Sequence, residues 1–175
     1  MQDTTLSCHI NGLYAYAMVL TRNPSGAADL VQETYVRALR AKNSLRPDSN
    51  VKSWLFTILR NIWLNELRHQ KASPKIVELE ADEGIADVAV ETAKDPYATY
   101  VTKVEREQVR EAIQQLPAEF QEIIILREYE ELSYQEIATV LECPPGTVMS
   151  RLARARSKLK ALLLRTWKRS GTEGS

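Results

Sequence analysis

Cysteine, glycine and proline are scarce in this chain of 175 residues, which holds two, six and seven of them. Cys8 and Cys143 lie far apart, and neither belongs to a Cys-x-x-Cys motif or a cluster of histidines and cysteines. The sequence therefore argues against a disulfide framework and a metal site, and we expect two reduced thiols and no cofactor. Because few residues interrupt regular structure, most of the chain is free to form it.

Sequence signals for export, membrane insertion and catalysis are lacking too. The opening segment MQDTTLSCHINGLY has no basic region followed by an apolar run, which argues against a signal peptide. No apolar stretch approaches the roughly 20 residues that span a bilayer, so we expect a cytoplasmic protein without membrane insertion. His9 and His69 are the only histidines, and no Ser-His-Asp set or Gly-rich phosphate loop is recognisable. We therefore predict that the protein is not an enzyme.

The apolar residues that are present recur at helical spacing, and long strand-like alternation does not appear. This pattern predicts an all-α fold of two small helical domains. Residues 71–103 are acidic, rich in alanine and poor in large apolar side chains, which is typical of a flexible linker. The expected boundaries are residues 1–70 for the first domain, 71–103 for the linker, 104–169 for the second domain and 170–175 for a tail.

The net charge of zero conceals a strong separation of charge along the chain. Residues 104–145 carry 3 basic and 10 acidic side chains, whereas residues 146–175 carry 8 basic and 1 acidic. A polyanion meets the local charge of a surface and not the average of the molecule. The balanced total therefore does not exclude binding to nucleic acid.

Two helices with separate apolar and polar faces are predicted in the N-terminal part. Asn23-Pro24 marks the start of the first, because Asn accepts from early backbone N–H groups and Pro lacks one. Its apolar face holds Leu30, Val31, Thr34, Tyr35 and Leu39, and its polar face holds Asp29, Gln32, Glu33, Arg37 and Arg40. The second helix runs from about Val51 to Gln70. It has an apolar row of Val51, Trp54, Leu55, Ile58 and Ile62 and a polar face of Thr57, Asn61, Asn65 and Arg68.

The C-terminal part predicts a helix-turn-helix. Ser133 and Glu136 form a capping box at the start of a short helix, and a break at residues 142–146 follows it. Glu142 stands at the turn position where glycine is common, which predicts a left-handed backbone without glycine's freedom. The next helix has an apolar row of Val148, Leu152, Ala155, Leu159 and Leu162 and an outward row of Thr147, Ser150, Arg151, Arg154 and Lys158. Hydroxyl and arginine side chains on the outer face of such a helix are typical of duplex-DNA recognition.

Longer motifs in both halves point to one family. The N-terminal half carries DLVQETYVRALR at 29–40 and NVKSWLFTILRNIWLNELRH at 50–69. The C-terminal half carries LPAEFQEIIILREYEELSYQEIATVLECPPGTVMSRLARARSKL at 116–159. In this order and spacing, the segments resemble a bacterial RNA polymerase sigma factor of the extracytoplasmic-function (ECF) group. The resemblance implies an alternative sigma factor, with a region 2 bundle and a region 4 helix-turn-helix, that directs core polymerase to −35/−10 promoters and helps to open the DNA.

The resemblance also implies where region 2 meets its partners. The DLVQET helix docks on the clamp helices of the polymerase β′ subunit, with contact candidates Asp29, Gln32, Glu33 and Arg37. The following loop and helix recognise and open the −10 element. The candidates for contact with that DNA are Asn50, Lys52, Arg60, Asn61, Asn65, Arg68 and His69. Trp54 is a candidate for stacking on a base, but its place in the apolar row favours core packing.

Region 4 is implied to read the −35 element in the major groove and to pack its apolar exterior against the polymerase β flap. The candidates for DNA contact are Pro145, Gly146, Thr147, Met149, Ser150, Arg151, Arg154 and Lys158. Met149 departs from the family pattern, which often has Arg or Lys at that position. An anti-sigma factor that covers the polymerase-binding surfaces is a further expected partner.

An alternative hypothesis is a helix-turn-helix repressor or activator that works without polymerase. It requires an N-terminal half that senses a ligand or dimerises, and nothing in residues 9–70 indicates a ligand pocket or a dimer coil. It predicts tight binding to a palindromic site in the absence of polymerase.

Overall fold

A computed structural model of the protein describes residues 6–72 and 96–172. The helices in these ranges are α1 (Ile10–Thr21), α2 (Pro24–Ala41), α3 (Val51–Ala72), α4 (Pro96–Gln114), α5 (Ala118–Ile124), α6 (Tyr134–Leu141) and α7 (Pro145–Thr172). A 3-10 turn (Lys42–Ser44) follows α2, and a π-helical turn (Ile125–Tyr129) extends α5. No strand occurs in the described ranges, and the predicted all-α class is confirmed.

Two further expectations concern membrane insertion and the linker. Among the described helices, none combines the length and the apolar character that crossing a membrane requires. The predicted linker lies for the most part outside the described residues, which leave out 73–95, while α3 and α4 extend into its two ends.

Helices α1–α3 form the N-terminal helical domain. The predicted start of α2 is confirmed, because Asn23 Oδ1 accepts a hydrogen bond from Gly26 N at 3.1 Å and Pro24 follows directly. Thr34 is buried in the core without an unsatisfied hydroxyl, since its Oγ1 donates to the Leu30 carbonyl at 2.7 Å. The largest fully buried side chains of this domain are Leu13, Tyr16, Leu30, Leu55, Phe56 and Leu59.

The predicted apolar rows need two corrections. The predicted apolar face of α2 includes Leu39, which is 43% exposed, whereas Ala38 is fully buried. Ala38 lies four residues after Thr34, so it continues the inward row that Leu39 leaves by a rotation of about 100°. In α3 the fully buried positions include Phe56 and Leu59, which the predicted row omits. The half-buried Trp54 packs against the core, as its position in the row predicted.

Helices α4–α7 form the C-terminal helical domain. Ile123, Ile124, Leu126, Leu132, Ile137 and Leu152 are its largest fully buried side chains. Gln121 is buried as well, and its Nε2 donates to the carbonyl oxygens of Gln114 and Leu116, which close the end of α4. Helix α7 packs against α4, α5 and α6 and is therefore the central helix of the domain.

The two domains pack against each other, and their buried apolar residues join in one continuous core. Helix α1 contacts α5, and α3 contacts α6. Tyr16 and Glu122 lie at this junction, where the Tyr16 hydroxyl donates to Glu122 Oε1 at 2.9 Å. The sequence predicted both domains but not this contact between them.

Candidate nucleic-acid interface

The helix-turn-helix is formed by α6, the turn after it and α7. The predicted capping box is present at the start of α6: Glu136 N donates to Ser133 Oγ at 3.1 Å, and Ser133 N donates to Glu136 Oε2 at 2.7 Å. The flanking Leu132 and Ile137 are buried. These contacts satisfy backbone donors at the helix start and fix the direction in which α6 enters the motif.

The turn between the two helices has the predicted left-handed residue. Glu142 ends α6 with φ 51° and ψ 47°. Its position closes the helix, because Cys143 N donates to the Ala138 carbonyl at 3.1 Å. The chain then reverses through Pro144, whose carbonyl accepts from Thr147 N at 2.9 Å in the first turn of α7. The angle at which α7 leaves the turn is thus set by backbone hydrogen bonds.

The structure brings the −35 candidates together on the first turns of α7. Met149, Ser150, Arg154 and Lys158 are exposed on its outer side, and so are Pro145 and Gly146 at its start. Thr147 is half-buried. Arg151 is also half-buried, and its Nε lies 3.9 Å from the Glu119 carboxylate of α5. An exposed row of hydroxyl and arginine side chains can donate to base edges and to phosphate oxygens.

Gly146 leaves an open space at the start of this helix. Apart from its chain neighbours and the backbone of its own helix, no protein atom lies within 4 Å of the position that a Cβ would occupy there. The packing of the protein therefore does not require glycine at this position. Free backbone N–H groups at a helix start attract anions, and a missing side chain lets a phosphate come closer.

The −10 candidates fall into two groups along α3. Asn61, Asn65, Arg68 and His69 are exposed on the C-terminal half of the helix. Arg68 is held by its neighbour, since its Nη1 donates to Asn65 Oδ1 at 3.1 Å. Asn50 starts the helix, where its Oδ1 accepts from Lys52 N at 3.0 Å. Asn50, Lys52 and Arg60 form the second group, because each contacts the C-terminal domain.

Each member of this second group contacts a carboxylate of the C-terminal domain. Arg60 Nε lies 3.1 Å from Glu122 Oε1, and Lys52 Nζ lies 2.9 Å from Glu130 Oε2. Lys52 Nζ also donates to the Glu130 carbonyl at 2.7 Å. The three pairs are completed by Asn50, whose amide donates to Glu136 Oε1. This arrangement was not predictable from the sequence, in which its signal is the acidic excess of residues 104–145, because that excess does not identify a partner for any single carboxylate.

Two groups close to these contacts have displaced pKa values. Burial raises the pKa of Tyr16 well above its usual range, and the neighbouring Glu122 carboxylate adds to the rise. Tyr16 therefore remains a hydrogen-bond donor at any physiological pH. Burial lowers the pKa of His9, and the Lys52 ammonium group lowers it further. The neutral form of His9 is therefore favoured beside Lys52.

The polar face of α2 is exposed as predicted at Asp29, Gln32 and Arg37. Arg37 Nε and Glu33 Oε1 form an ion pair of 2.6 Å along this face. Glu66 of α3 lies beside it: burial raises the pKa of Glu66, Arg37 opposes that rise, and Glu33 and Asp29 add to it. The face is therefore a mixed acidic and basic surface built by two helices, and Glu66 is a member that the helix pattern alone did not reveal.

An apolar groove of about 400 Å³ lies on the C-terminal domain, on the side formed by α5 and the second half of α7. Its apolar lining consists of Ile124, Leu159, Leu163, Leu164 and Trp167. Trp167 is 51% exposed and Leu164 is 44% exposed. The charged residues Glu128, Arg156 and Lys160 stand at its edge. Such a groove on a helical surface is typical of a docking site for another protein.

Comparison with protein families identifies each domain separately. Residues 6–73 match the family described as Sigma-70 region 2. Residues 106–159 match the family described as Sigma-70, region 4. The two matches have the order that the sequence motifs indicated.

Several sigma factors are similar to this chain over most of its length. The chain is 38% identical over 163 residues to the ECF RNA polymerase sigma factor EcfG of Rhodopseudomonas palustris, which covers 93% of this chain and 84% of that protein. It is 35% identical to the RNA polymerase sigma-H factor of Pseudomonas aeruginosa, over 78% of this chain and 72% of the relative. The ECF RNA polymerase sigma-E factor of Escherichia coli is 36% identical over 78% of this chain and 73% of its own length.

Two solved structures have a similar arrangement of helices. The sigma factor RpoE of Bartonella quintana, crystallised with the anti-sigma factor NepR, superposes with a TM-score of 0.67 and 31% identity, over 92% of this chain and 95% of RpoE. CnrH in complex with the cytosolic domain of CnrY superposes with a TM-score of 0.58 and 25% identity, over 92% of this chain and 86% of CnrH.

Proposed function

This chain belongs to the ECF group of RNA polymerase sigma factors and directs RNA polymerase to promoters, and we propose that the residues described above divide this task between −10 and −35 DNA. The observation that carries the proposal is the pairing of a basic, exposed helix-turn-helix with a second helical domain that presents a polar helix. Such a factor acts by binding and positioning, without catalysis of its own, in the cytoplasm where transcription takes place.

The outer row of α7 is proposed to read the −35 element in the major groove. Arg154 and Lys158 are exposed and extend the row from the helix start, where Ser150 presents a hydroxyl. Arginine distinguishes guanine through two parallel hydrogen bonds, whereas lysine and serine hold phosphates or single base edges. Met149 is 55% exposed on the same surface and offers apolar contact in place of a charge. We infer that this chain prefers a thymine methyl group opposite Met149.

Helix α3 and the segment before it are proposed to recognise and open the −10 element. Opening requires that unstacked bases are held outside the duplex while the single strand is guided by cations. Lys52, Arg60 and Arg68 supply positive charge along α3, and Asn61 and Asn65 supply amides that can pair with base edges. Because these groups are spaced along one helix, they can follow a strand over several nucleotides.

The proposed contacts with polymerase use the two remaining surfaces. The polar face of α2, with Asp29, Gln32, Glu33 and Arg37, is assigned to the β′ clamp helices. The apolar groove beside Trp167 is assigned to the β flap, because the flap needs an apolar surface that is distant from the DNA-reading side of α7. A partner that covered both surfaces would prevent polymerase binding. We therefore also propose an anti-sigma factor, the kind of partner that NepR is in the similar RpoE structure.

Transcription by reconstituted polymerase tests the promoter function. Core bacterial polymerase is combined with the purified chain and fragmented genomic DNA, and the 5′ ends of the transcripts are sequenced. We expect new start sites that share −35 and −10 sequences. A chain that adds no start sites but binds a palindromic duplex tightly without polymerase would be a polymerase-independent regulator instead.

The variants Gln32→Ala and Glu33→Ala test the β′ assignment in the same reaction. We expect fewer transcripts from the double variant with its helical content unchanged, since both side chains are on the surface of α2. Ser25→Ala, also exposed on α2, is the matched control and should retain full transcription. Equal transcript levels in the double variant and the control would remove the assignment.

A further inference from the structure

Three carboxylates of the C-terminal domain form a row along the start and middle of α3. Glu122 comes from α5, Glu130 follows the π-helical turn, and Glu136 belongs to α6. They contact Arg60, Lys52 and Asn50 respectively.

The side chains that form these ion pairs are less exposed to water than those of ordinary surface ion pairs. The side chains of Arg60 and Glu122 are 15% and 10% exposed, and those of Lys52 and Glu130 are 27% and 13% exposed. Exposed pairs contribute little because water and salt screen them, whereas partly buried pairs are screened much less. Glu122 is held in addition by the Tyr16 hydroxyl.

Gly12 of α1 shows that the Glu130 carboxylate has a fitted place on the N-terminal domain. A Cβ at Gly12 would overlap the Glu130 carboxyl group. The absence of a side chain on Gly12 is therefore what lets Glu130 reach Lys52 from this side. Lys52 Nζ is then occupied by both the carboxylate and the carbonyl oxygen of Glu130.

A cation that donates to a carboxylate in this way cannot donate the same hydrogen bonds to a phosphate. We propose that the C-terminal domain of the free chain masks the −10 surface by placing Glu122, Glu130 and Glu136 on Arg60, Lys52 and Asn50. The inference rests on the proposed −10 function of α3. It adds that the chain itself, without a second protein, competes with the DNA strand for these residues.

The mask is selective for one part of the DNA-binding surface. The row formed by Ser150, Arg154 and Lys158 on α7 remains exposed while the domains are in contact. Asn61, Asn65, Arg68 and His69 on the far half of α3 remain exposed too. The closed chain can therefore meet duplex DNA through α7, whereas full engagement of a single strand along α3 requires separation of the domains. Any partner that separates the domains, polymerase included, would release the surface.

Binding of single-stranded DNA to the full chain tests the mask. The probe is a fluorescein-labelled 20-nucleotide DNA strand of mixed sequence, titrated at constant salt and followed by fluorescence anisotropy. Glu130→Gln removes the charge that pairs with Lys52, and we expect about three- to tenfold tighter binding of the strand. Glu131→Gln is the matched control, because it makes the same charge change at the adjacent exposed residue. We expect its affinity to stay within about twofold of the unmodified chain.

Gly12→Ala tests the same contact without changing any charge. The added methyl group displaces the Glu130 carboxylate and favours the helix, so the variant should fold and bind the strand more tightly. Gly26→Ala is its control, since a Cβ there makes only ordinary contacts with Thr21 and Asn23. The proposed mask is overturned if neither variant binds the strand more tightly than its control, that is, if Glu130→Gln binds like Glu131→Gln and Gly12→Ala binds like Gly26→Ala.

Lys52→Ala separates failure of the mask from failure of the proposed function. Loss of strand binding and of transcription in this variant supports the −10 assignment, whatever the Glu130 and Gly12 variants do. If Lys52→Ala loses both activities but Glu130→Gln and Gly12→Ala gain no affinity, the mask alone is overturned. If Lys52→Ala changes neither activity, the −10 role of Lys52 is overturned and the mask with it.

Discussion

At the scale of single residues, several residues other than glycine adopt a left-handed backbone conformation. Arg22, Glu131 and Glu142 have positive φ values of 53°, 56° and 51°, in the left-handed region that glycine enters most readily. Arg22 ends α1, and Glu142 ends the first helix of the helix-turn-helix. In both places the left-handed residue closes a helix and turns the chain toward the next one. Strain of this kind is a stability cost that the fold tolerates for the sake of its geometry.

Replacement of Glu142 by glycine should therefore stabilise the protein. We expect a gain of about 0.5–1 kcal/mol in the free energy of unfolding, because relief of the left-handed conformation exceeds the added entropy of the unfolded chain. The measurement is the urea midpoint, taken at an unchanged slope of free energy against urea. Glu142→Gln is the control, since it removes the charge and keeps the strained backbone. A midpoint shift of the same size in Glu142→Gln would assign the gain to charge.

At the scale of elements, α7 combines packing and recognition in one helix. Val148, Leu152 and Ala155 are buried on its inner side, and the next turns carry the half-buried Leu159 and Leu162. Arg154 and Lys158 are exposed on its outer side. Because a helix of 28 residues extends well past the turn, its second half also lines the apolar groove around Trp167. One amphipathic element can thus serve DNA at its start and a protein partner near its end.

The open space at Gly146 leads to a prediction about the start of this helix. Gly146→Ala should raise the free energy of unfolding slightly, by about 0.5 kcal/mol, since alanine favours the helix and meets no atom beyond its chain neighbours and its own helix backbone. It should at the same time weaken binding to the promoter fragments recovered by transcription, because the methyl group occupies the space proposed for a phosphate. Gly171→Ala, another helical glycine with open space around it, is the control. Unchanged promoter binding in Gly146→Ala would show that the backbone there does not approach DNA.

At the scale of the whole molecule, the continuous core couples the two domains. Tyr16 of α1 is fully buried, contacts the ring of Phe56 at a centroid distance of 5.4 Å and donates to Glu122 of the other domain. Helix α3 carries contacts to α1, α2 and α6. A chain whose domains share buried residues in this way should unfold as one cooperative unit, although each domain matches its own family.

The positions of the three tryptophans make this coupling measurable. Trp54 and Trp63 belong to the N-terminal domain and Trp167 to the C-terminal domain. One variant keeps the first two through Trp167→Phe, and another keeps only Trp167 through Trp54→Phe and Trp63→Phe. Each variant is unfolded in urea and followed by both fluorescence and circular dichroism. In each variant, the two unfolding curves should coincide. Domain-specific fluorescence that departs from the circular dichroism curve would contradict a shared core.

Much of the local structure follows from patterns within single helices. Asn23-Pro24, the capping box of Ser133 and Glu136 and the left-handed turn at Glu142 were predicted from residue type and spacing, and the structure confirms them. Each of these features depends on neighbours within a few residues. Leu39 shows where helical spacing is not enough, because the burial of a residue at the edge of an apolar face depends on what packs opposite it. That neighbour belongs to another helix.

The sequence by itself determined the all-α class, the order of the two domains and the family, because these are written in local periodicity and in contiguous motifs. Only the tertiary structure decided that Glu122, Glu130 and Glu136 face Arg60, Lys52 and Asn50. Those pairs join residues 62 to 86 positions apart in the chain, and their formation depends on how two packed domains are oriented. Local patterns carry no information about that orientation, since it is set by the shape of the buried surfaces that the helices create together.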